Sequence, residues 1–254
     1  MKPKITAVVA VMLGLFSGCR FVGGTADGSG TIECTQVEVA PQVAGRIAEI
    51  PVQEGMALAK GDVVARIDAR DYDLRLEEAR ATARAAEADF QRIRQVFEKN
   101  SATQKQLDDV QAAVDLARAR LAIAEKAVAD CTVVAPMDGV VTVKSREEGE
   151  MVAAGTPVAT LSRLDEVWLS IYVPEDRLSR VKLGERAEVK VDGDSRAYEG
   201  TVTFISPEAE FTPRNVQTPD ERAKLVYRVK ITLPNPDGLF KPGMPADGFL
   251  KAGR

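Results

Sequence analysis

GRIAEIPVQEGMALAKGDVVARI, from Gly45 to Ile67, and GVVTVKSREEGEMVAAGTPVATL, from Gly139 to Leu161, are one pattern written twice. The copies align without a gap. Gly45 falls on Gly139, Ile47 on Val141, Glu54-Gly55 on Glu148-Gly149, Leu58 on Val152, Gly61 on Gly155 and Val64-Ala65 on Val158-Ala159. An Ala-Pro pair precedes each copy, at Ala40-Pro41 and Ala135-Pro136. Short apolar stretches punctuated by glycine read as half-buried strands of a small sandwich. Gly55, Gly61, Gly149 and Gly155 stand where a tight turn favours positive φ, and Gly45 and Gly139, heading the copies, are grouped with these turn glycines. One copy is too small to bury a core, so the two must interlock.

Between the copies, Ala69 to Asp130 contains neither Gly nor Pro and is rich in Ala, Arg, Glu and Gln, all strong helix formers. Tyr72, Leu76, Ala79, Ala83, Ala86, Phe90, Ile93 and Phe97 recur at alternating steps of four and three. Leu107, Val110, Val114, Ala117, Leu121, Ala124 and Val128 resume the rhythm. That is the a/d seam of an antiparallel helical hairpin, each arm roughly 40 Å long at ~1.5 Å per residue. The polar break Lys99-Asn100-Ser101-Ala102-Thr103 marks the tip. Ser101 or Thr103 is the expected N-cap of the second arm, and Ser101 with Gln104 reads as a capping box.

The doubled pattern resembles the lipoyl/biotinyl domain, a barrel-sandwich hybrid. In a carrier domain of that kind the halves follow directly, and a lysine at the connecting turn takes the cofactor. Here no such lysine stands at the junction; Lys60 and Lys144 lie inside the copies. A split lipoyl domain holding a coiled-coil hairpin resembles the membrane fusion protein family, the HlyD/AcrA-type periplasmic adaptors. The resemblance implies a scaffold without chemistry or cofactor, linking an inner-membrane transporter to a TolC-like outer-membrane channel and self-associating as a ring of about six copies. It also implies a docking motif at the hairpin tip, for which Arg92, Val96 and Thr103 have the family's spacing. Arg92 and Val96 are one helical turn apart and outside the seam, free to face a partner.

From Glu166 onward the texture is that of strands. Val167 to Val173, Ala187 to Val191, Thr201 to Ile205, Leu225 to Leu233 and Phe249 to Lys251 are short β-rich runs, consistent with a small closed barrel. Pro174 to Leu178 opens a short helix, and Trp168, the single tryptophan, is expected in the barrel core. Residues 211–218 resemble an HlyD-like subgroup associated with ABC-type exporters. The chain also stops soon after Gly243-Met244, where relatives that serve proton-driven pumps continue. Both features favour an ABC-type inner-membrane partner.

The N-terminus reads as an export signal. Lys2 and Lys4 precede an apolar run from Ile5 to Phe16, too short to span a bilayer as a helix of ~20 residues. Leu15-Phe16-Ser17-Gly18-Cys19 resembles a bacterial lipobox, which would lipidate Cys19 and anchor the chain to the inner membrane; ordinary cleavage and an uncleaved anchor are the alternatives. Cys34 and Cys131 would then remain, either paired or as two small buried residues.

The 254 residues include no histidine, and no nucleophile elbow, phosphate-binding loop or C-x-x-C is present. These absences argue against an enzyme, and a net charge of -4 leaves no basic footprint for nucleic acid. The alternative function is a lipoyl/biotinyl carrier or a metal-efflux adaptor of a proton-driven pump. The expected fold is α+β, elongated and modular. It comprises a signal peptide with lipobox (1–19), an N-terminal linker or strand (20–38), lipoyl half one (39–68), the hairpin (69–130), lipoyl half two (131–162) and the barrel (163–254).

Overall fold

The computed structural model describes residues 26–194, 196–211 and 225–250. Cys19 with its lipobox and residues 212–218 of the exporter-like motif lie outside these. β1 (Gly28–Val39) precedes the first copy, which forms β2 (Gly45–Glu49), β3 (Ala57–Leu58) and β4 (Val63–Ile67). The hairpin is α1 (Arg70–Glu98) and α2 (Gln104–Ala129). The chain returns as β5 (Thr132–Val134), β6 (Gly139–Lys144), β7 (Met151–Val152) and β8 (Ala159–Pro174). α3 (Glu175–Leu178), β9 (Arg186–Val191), β10 (Tyr198–Ile205), β11 (Glu210–Phe211), β12 (Leu225–Pro234) and β13 (Pro245–Leu250) follow.

The two copies clasp each other reciprocally. β2 of the first copy pairs with β7 of the second, and β3 of the first pairs with β6 of the second. The Gly55 amide donates to the Val141 carbonyl and the equivalent Gly149 amide to Ile47, both at 2.8 Å. Glu148 accepts from the Ile50 amide at 3.0 Å, and its counterpart Glu54 accepts from the Lys144 amide at 2.9 Å. Each copy thus supplies hydrogen bonds that the other lacks, the physical content of two halves that cannot fold apart. Their shared core holds Ile47, Val52, Val64, Val141, Val158 and Leu161, all nearly inaccessible.

Gly55, Gly61, Gly149 and Gly155 have φ between 81° and 97°, with open space where a Cβ would stand. Gly45 and Gly139 differ from the turn role expected of them. They begin β2 and β6, where close approach excludes a side chain: a Cβ would lie 2.5 Å from Ile67 Cγ2 at Gly45 and 2.9 Å from the Ser162 carbonyl oxygen at Gly139.

The second module is a closed six-stranded barrel, in the order β8-β12-β10-β9-β13-β1, shut by β1 against β8. Val167, Leu169, Ile171, Val189, Val229 and Ile231 fill it. β1 and β8 run through both modules. They pair from Gly30↔Ile171 to Cys34↔Val167, shift register, and pair again from Thr35↔Arg163 to Val39↔Ala159. The residues left over on β8 at the shift are held by buried Asn235. Its side chain donates to the Leu164 carbonyl at 2.7 Å and the Phe240 carbonyl at 2.9 Å and accepts from the Phe240 amide at 3.0 Å.

Trp168 is a correction. Strand alternation sends Val167 and Leu169 into the barrel and Trp168 outward, where its indole N–H donates to Glu33 at 2.8 Å and Lys230 Nζ lies 4.5 Å from the ring centroid. Cys34 and Cys131 are both buried free thiols, one in each core.

Candidate functional site

The hairpin leaves the lipoyl module where β4 and β5 pair side by side; the Ile67 amide donates to the Cys131 carbonyl at 2.7 Å. It therefore stands where a carrier domain displays its lysine turn. Three contacts fix its root. Tyr72 Oη donates to the Ala44 carbonyl at 2.7 Å, Lys126 Nζ reaches Gln42 at 3.2 Å, and Ala69 packs on the lipoyl core. Asp68 accepts from the Arg70 amide at 3.1 Å and from Arg70 Nε at 2.9 Å. Those hydrogen bonds hold its carboxyl at a pKa of about 2.

Along the rod, Leu76, Val114 and Ala117 are buried, while Phe90, Ile93, Phe97, Leu107, Val110, Leu121 and Val128 are half-buried. Two helices with no third layer can cover only one stripe of each other. Arg118 bridges to Glu87 at 2.7 Å across the seam.

At the tip, α1 ends in a Schellman turn. The Ser101 amide donates to the Val96 carbonyl at 3.0 Å and the Asn100 amide to the Phe97 carbonyl at 2.8 Å, with Asn100 at φ 57°. An asparagine just past a helical run was the available signal for this turn. It displaces the expected Ser101–Gln104 capping box. The turn consumes positions 100 and 101, so the extended N-cap conformation first becomes available at Thr103. Thr103 Oγ1 accepts from the Gln106 amide at 3.3 Å, and Gln106 Oε1 accepts from the Thr103 amide at 2.8 Å. Arg92 projects from α1 with its side chain 70% exposed and ion-paired to Asp89. Val96 is half-buried, its carbonyl spent on the turn. The three candidate residues thus gather in the distal part of the rod in three states: an exposed, ion-paired cation, a partly covered methyl pair and a cap.

Burial raises the thiol pKa of Cys34 and of Cys131, the latter helped by the carboxylates of Asp73, Asp130 and Asp68. Among the described residues no cluster of three or more His, Cys, Asp or Glu side chains could hold a metal ion. No helix among them is long and apolar enough to cross a membrane.

Two family descriptions match the chain: "RND MFP, barrel-sandwich hybrid domain" over residues 35–162 and "CusB-like, beta-barrel domain" over residues 166–254. A UPF0194 membrane protein of Acidithiobacillus ferridurans is 30% identical across 85% of this chain and 84% of its own. The UPF0194 membrane protein YbhG of Salmonella newport is 28% identical across 95% of this chain and 93% of its own. Among solved structures, a MacA–MexA chimera carrying the Pseudomonas aeruginosa MexA α-hairpin superposes with a TM-score of 0.78 at 22% identity, over 89% of this chain and 78% of that one. The membrane fusion protein Spr0693 of Streptococcus pneumoniae R6 follows at 0.72 and 18% identity, over 89% and 98%. At these identities the structural likeness is one of fold.

Proposed function

Because the chain belongs to the membrane fusion protein family, the non-enzymatic periplasmic adaptors of RND-type efflux systems, we propose that it bridges an inner-membrane transporter of the ABC type to a TolC-like outer-membrane channel. The observation that carries the reading is the rod itself. Helices of 29 and 26 residues grow from the junction of two clasped half-domains and meet nothing but each other beyond their root. A shape with so little internal return makes physical sense as a reach toward a partner.

Arg92, Val96 and Thr103 dock the tip, with Arg92 exchanging its exposed Asp89 pairing for an acceptor on the channel rim. Such an exposed pair is weak, worth ~0.2–1 kcal/mol, so the exchange is cheap. Copies stand side by side as a ring of about six, and a lipid on Cys19 holds each to the inner membrane. The exporter-like residues 211–218 support the ABC-type partner. A second reading, a proton-driven pump, is favoured by the RND label of the matching family.

In-cell photocrosslinking tests both ends, with a photoreactive residue at Val96 for the outer partner and at Arg214 for the inner one. Capture of a channel at Val96 and of an ABC permease at Arg214 is expected. A proton-driven pump captured at Arg214 would overturn the ABC assignment. Undiminished export by Arg92→Asp at normal expression would argue against tip docking.

A further inference from the structure

Among the described residues, two strands carry the chain between the modules, and they do not cross the joint alike. β1 passes from Cys34 to Thr35 with no residue to spare, while β8 holds three, Leu164, Asp165 and Glu166, that face no partner on β1. Extra residues on one strand of a pair make it buckle and bend, so the shape of this buckle sets the angle between the lipoyl module and the barrel. Apolar packing contributes little to fixing that angle. The two cores share no residue. A cleft of about 590 Å³ opens between the lipoyl face carrying Gln36, Thr142 and Thr160 and the loop carrying Pro242.

We infer that Asn235 is the positioning residue that fixes this angle, and with it the direction in which the rod stands relative to the barrel. Asn235 follows β12, which pairs with β8 as far as Glu166↔Pro234. Its backbone amide extends that ladder by donating to the Asp165 carbonyl at 2.8 Å. Its side chain, in a residue only 3% exposed, donates to the Leu164 carbonyl at 2.7 Å. Two consecutive carbonyls of the buckle thus end on one residue of the barrel. The same side chain is gripped from behind by Phe240, whose carbonyl accepts its second donor and whose amide donates to its oxygen. Phe240 lies in the barrel core and meets Tyr198 edge to face at 4.9 Å, so the grip is anchored in the barrel. A carboxamide supplies two donors and an acceptor from one planar group, which neither leucine nor aspartate does. Were the buckle to swing away, a buried donor would lose its acceptor, and that penalty exceeds the net worth of the bond. The inference rests on the bridging reading for its use: a rod held at one angle delivers its tip to one place.

The test uses the full chain with spin-labelled amino acids at exposed Ala154 in the lipoyl module and exposed Ala197 in the barrel. Labelled chains are diluted into unlabelled ones so that only pairs within one chain are read. A control pair, Gln53 and Ala154, lies within the lipoyl module and gives the width of a rigid body. The parent's inter-module distance distribution is expected to match that width. Asn235→Leu removes all three side-chain bonds, and Asn235→Asp keeps the acceptor for the Phe240 amide while removing the donors. In both, the inter-module distribution is expected to broaden about twofold with the control pair unchanged, and the photocrosslink from Val96 to a channel is expected to weaken severalfold. A distribution already broad in the parent would overturn the inference, whether or not the variants fold. So would an unchanged distribution in folded Asn235→Leu. Broadening by leucine but not by aspartate would assign the angle to closure of the loop on Phe240, and the reach to Leu164 would fall. A full Val96 crosslink from a broadened variant would overturn the positioning role. A parent that gives no Val96 crosslink would instead remove the bridging reading, and the distance distributions would still decide what sets the angle.

Discussion

A methyl group added at Gly30 would lie 1.8 Å from the Ser170 carbonyl oxygen, on the paired backbone of β8. One added at Gly55 meets nothing within 4 Å but must live at φ 85°. The first clash is with backbone, which cannot step aside; the second is conformational strain alone. Gly30→Ala is therefore expected to cost about 3 kcal/mol or more and Gly55→Ala about 1–2 kcal/mol, read from denaturant midpoints. The repeat made Gly55 legible, because turn glycines recur at aligned positions, whereas Gly30 belongs to no repeat and its neighbour is 140 residues away. Separations of 90 and 98 residues likewise hid the purpose of Glu54 and Glu148: their recurrence is plain, but each accepts from a backbone amide of the other copy. At Asp68 the folded-state pKa is depressed to about 2 by Arg70. The stabilisation is thus present above the ordinary carboxylate range and lost as pH falls through about 2. Asp68→Asn should unfold at lower urea than the parent at pH 7, and the gap should close between about pH 4 and pH 2.

At the scale of the element, the hairpin shows how far periodicity reaches. Every seam position read from the four-three rhythm is buried or half-buried, from Leu76 at the root to Phe97 at the tip. The cap was harder to place, since Ser101 and Thr103 both offer a hydroxyl and both have glutamine three residues on. The left-handed Asn100 decides between them by using up the first turn of chain. Thr103→Ala should destabilise α2 by about 1 kcal/mol, measured as lost helicity and a lowered thermal midpoint, while Thr103→Ser should retain the cap. The serine variant also separates roles. If Thr103 acts only as a cap, Thr103→Ser exports normally; if its methyl meets the channel, export falls while helicity holds.

Over the whole molecule, the rod and the body are joined at one seam between β4 and β5. Replacing residues 69–130 with a short Asn-Gly turn should leave a cooperative, β-rich protein, because Ile67 and Cys131 already stand within hydrogen-bond reach. Circular dichroism and a single unfolding transition check that outcome, and export in cells should vanish. A body that fails to fold without the rod would mean that Tyr72 and Ala69 carry more of the lipoyl core than their partial burial implies.

What the sequence determined by itself was everything local or repeated: the two half-domains, the helical rod, its seam and the positive-φ turns. Those features follow from spacings of two, three, four and seven residues, which the backbone imposes wherever the chain lies. The tertiary structure alone decided that β1 and β8 thread both modules and that Gly45 and Gly139 are sites of close approach. Each depends on which distant strand lies alongside and in what register, and that is set by packing side chains across a core, a relation that neighbours in sequence do not encode.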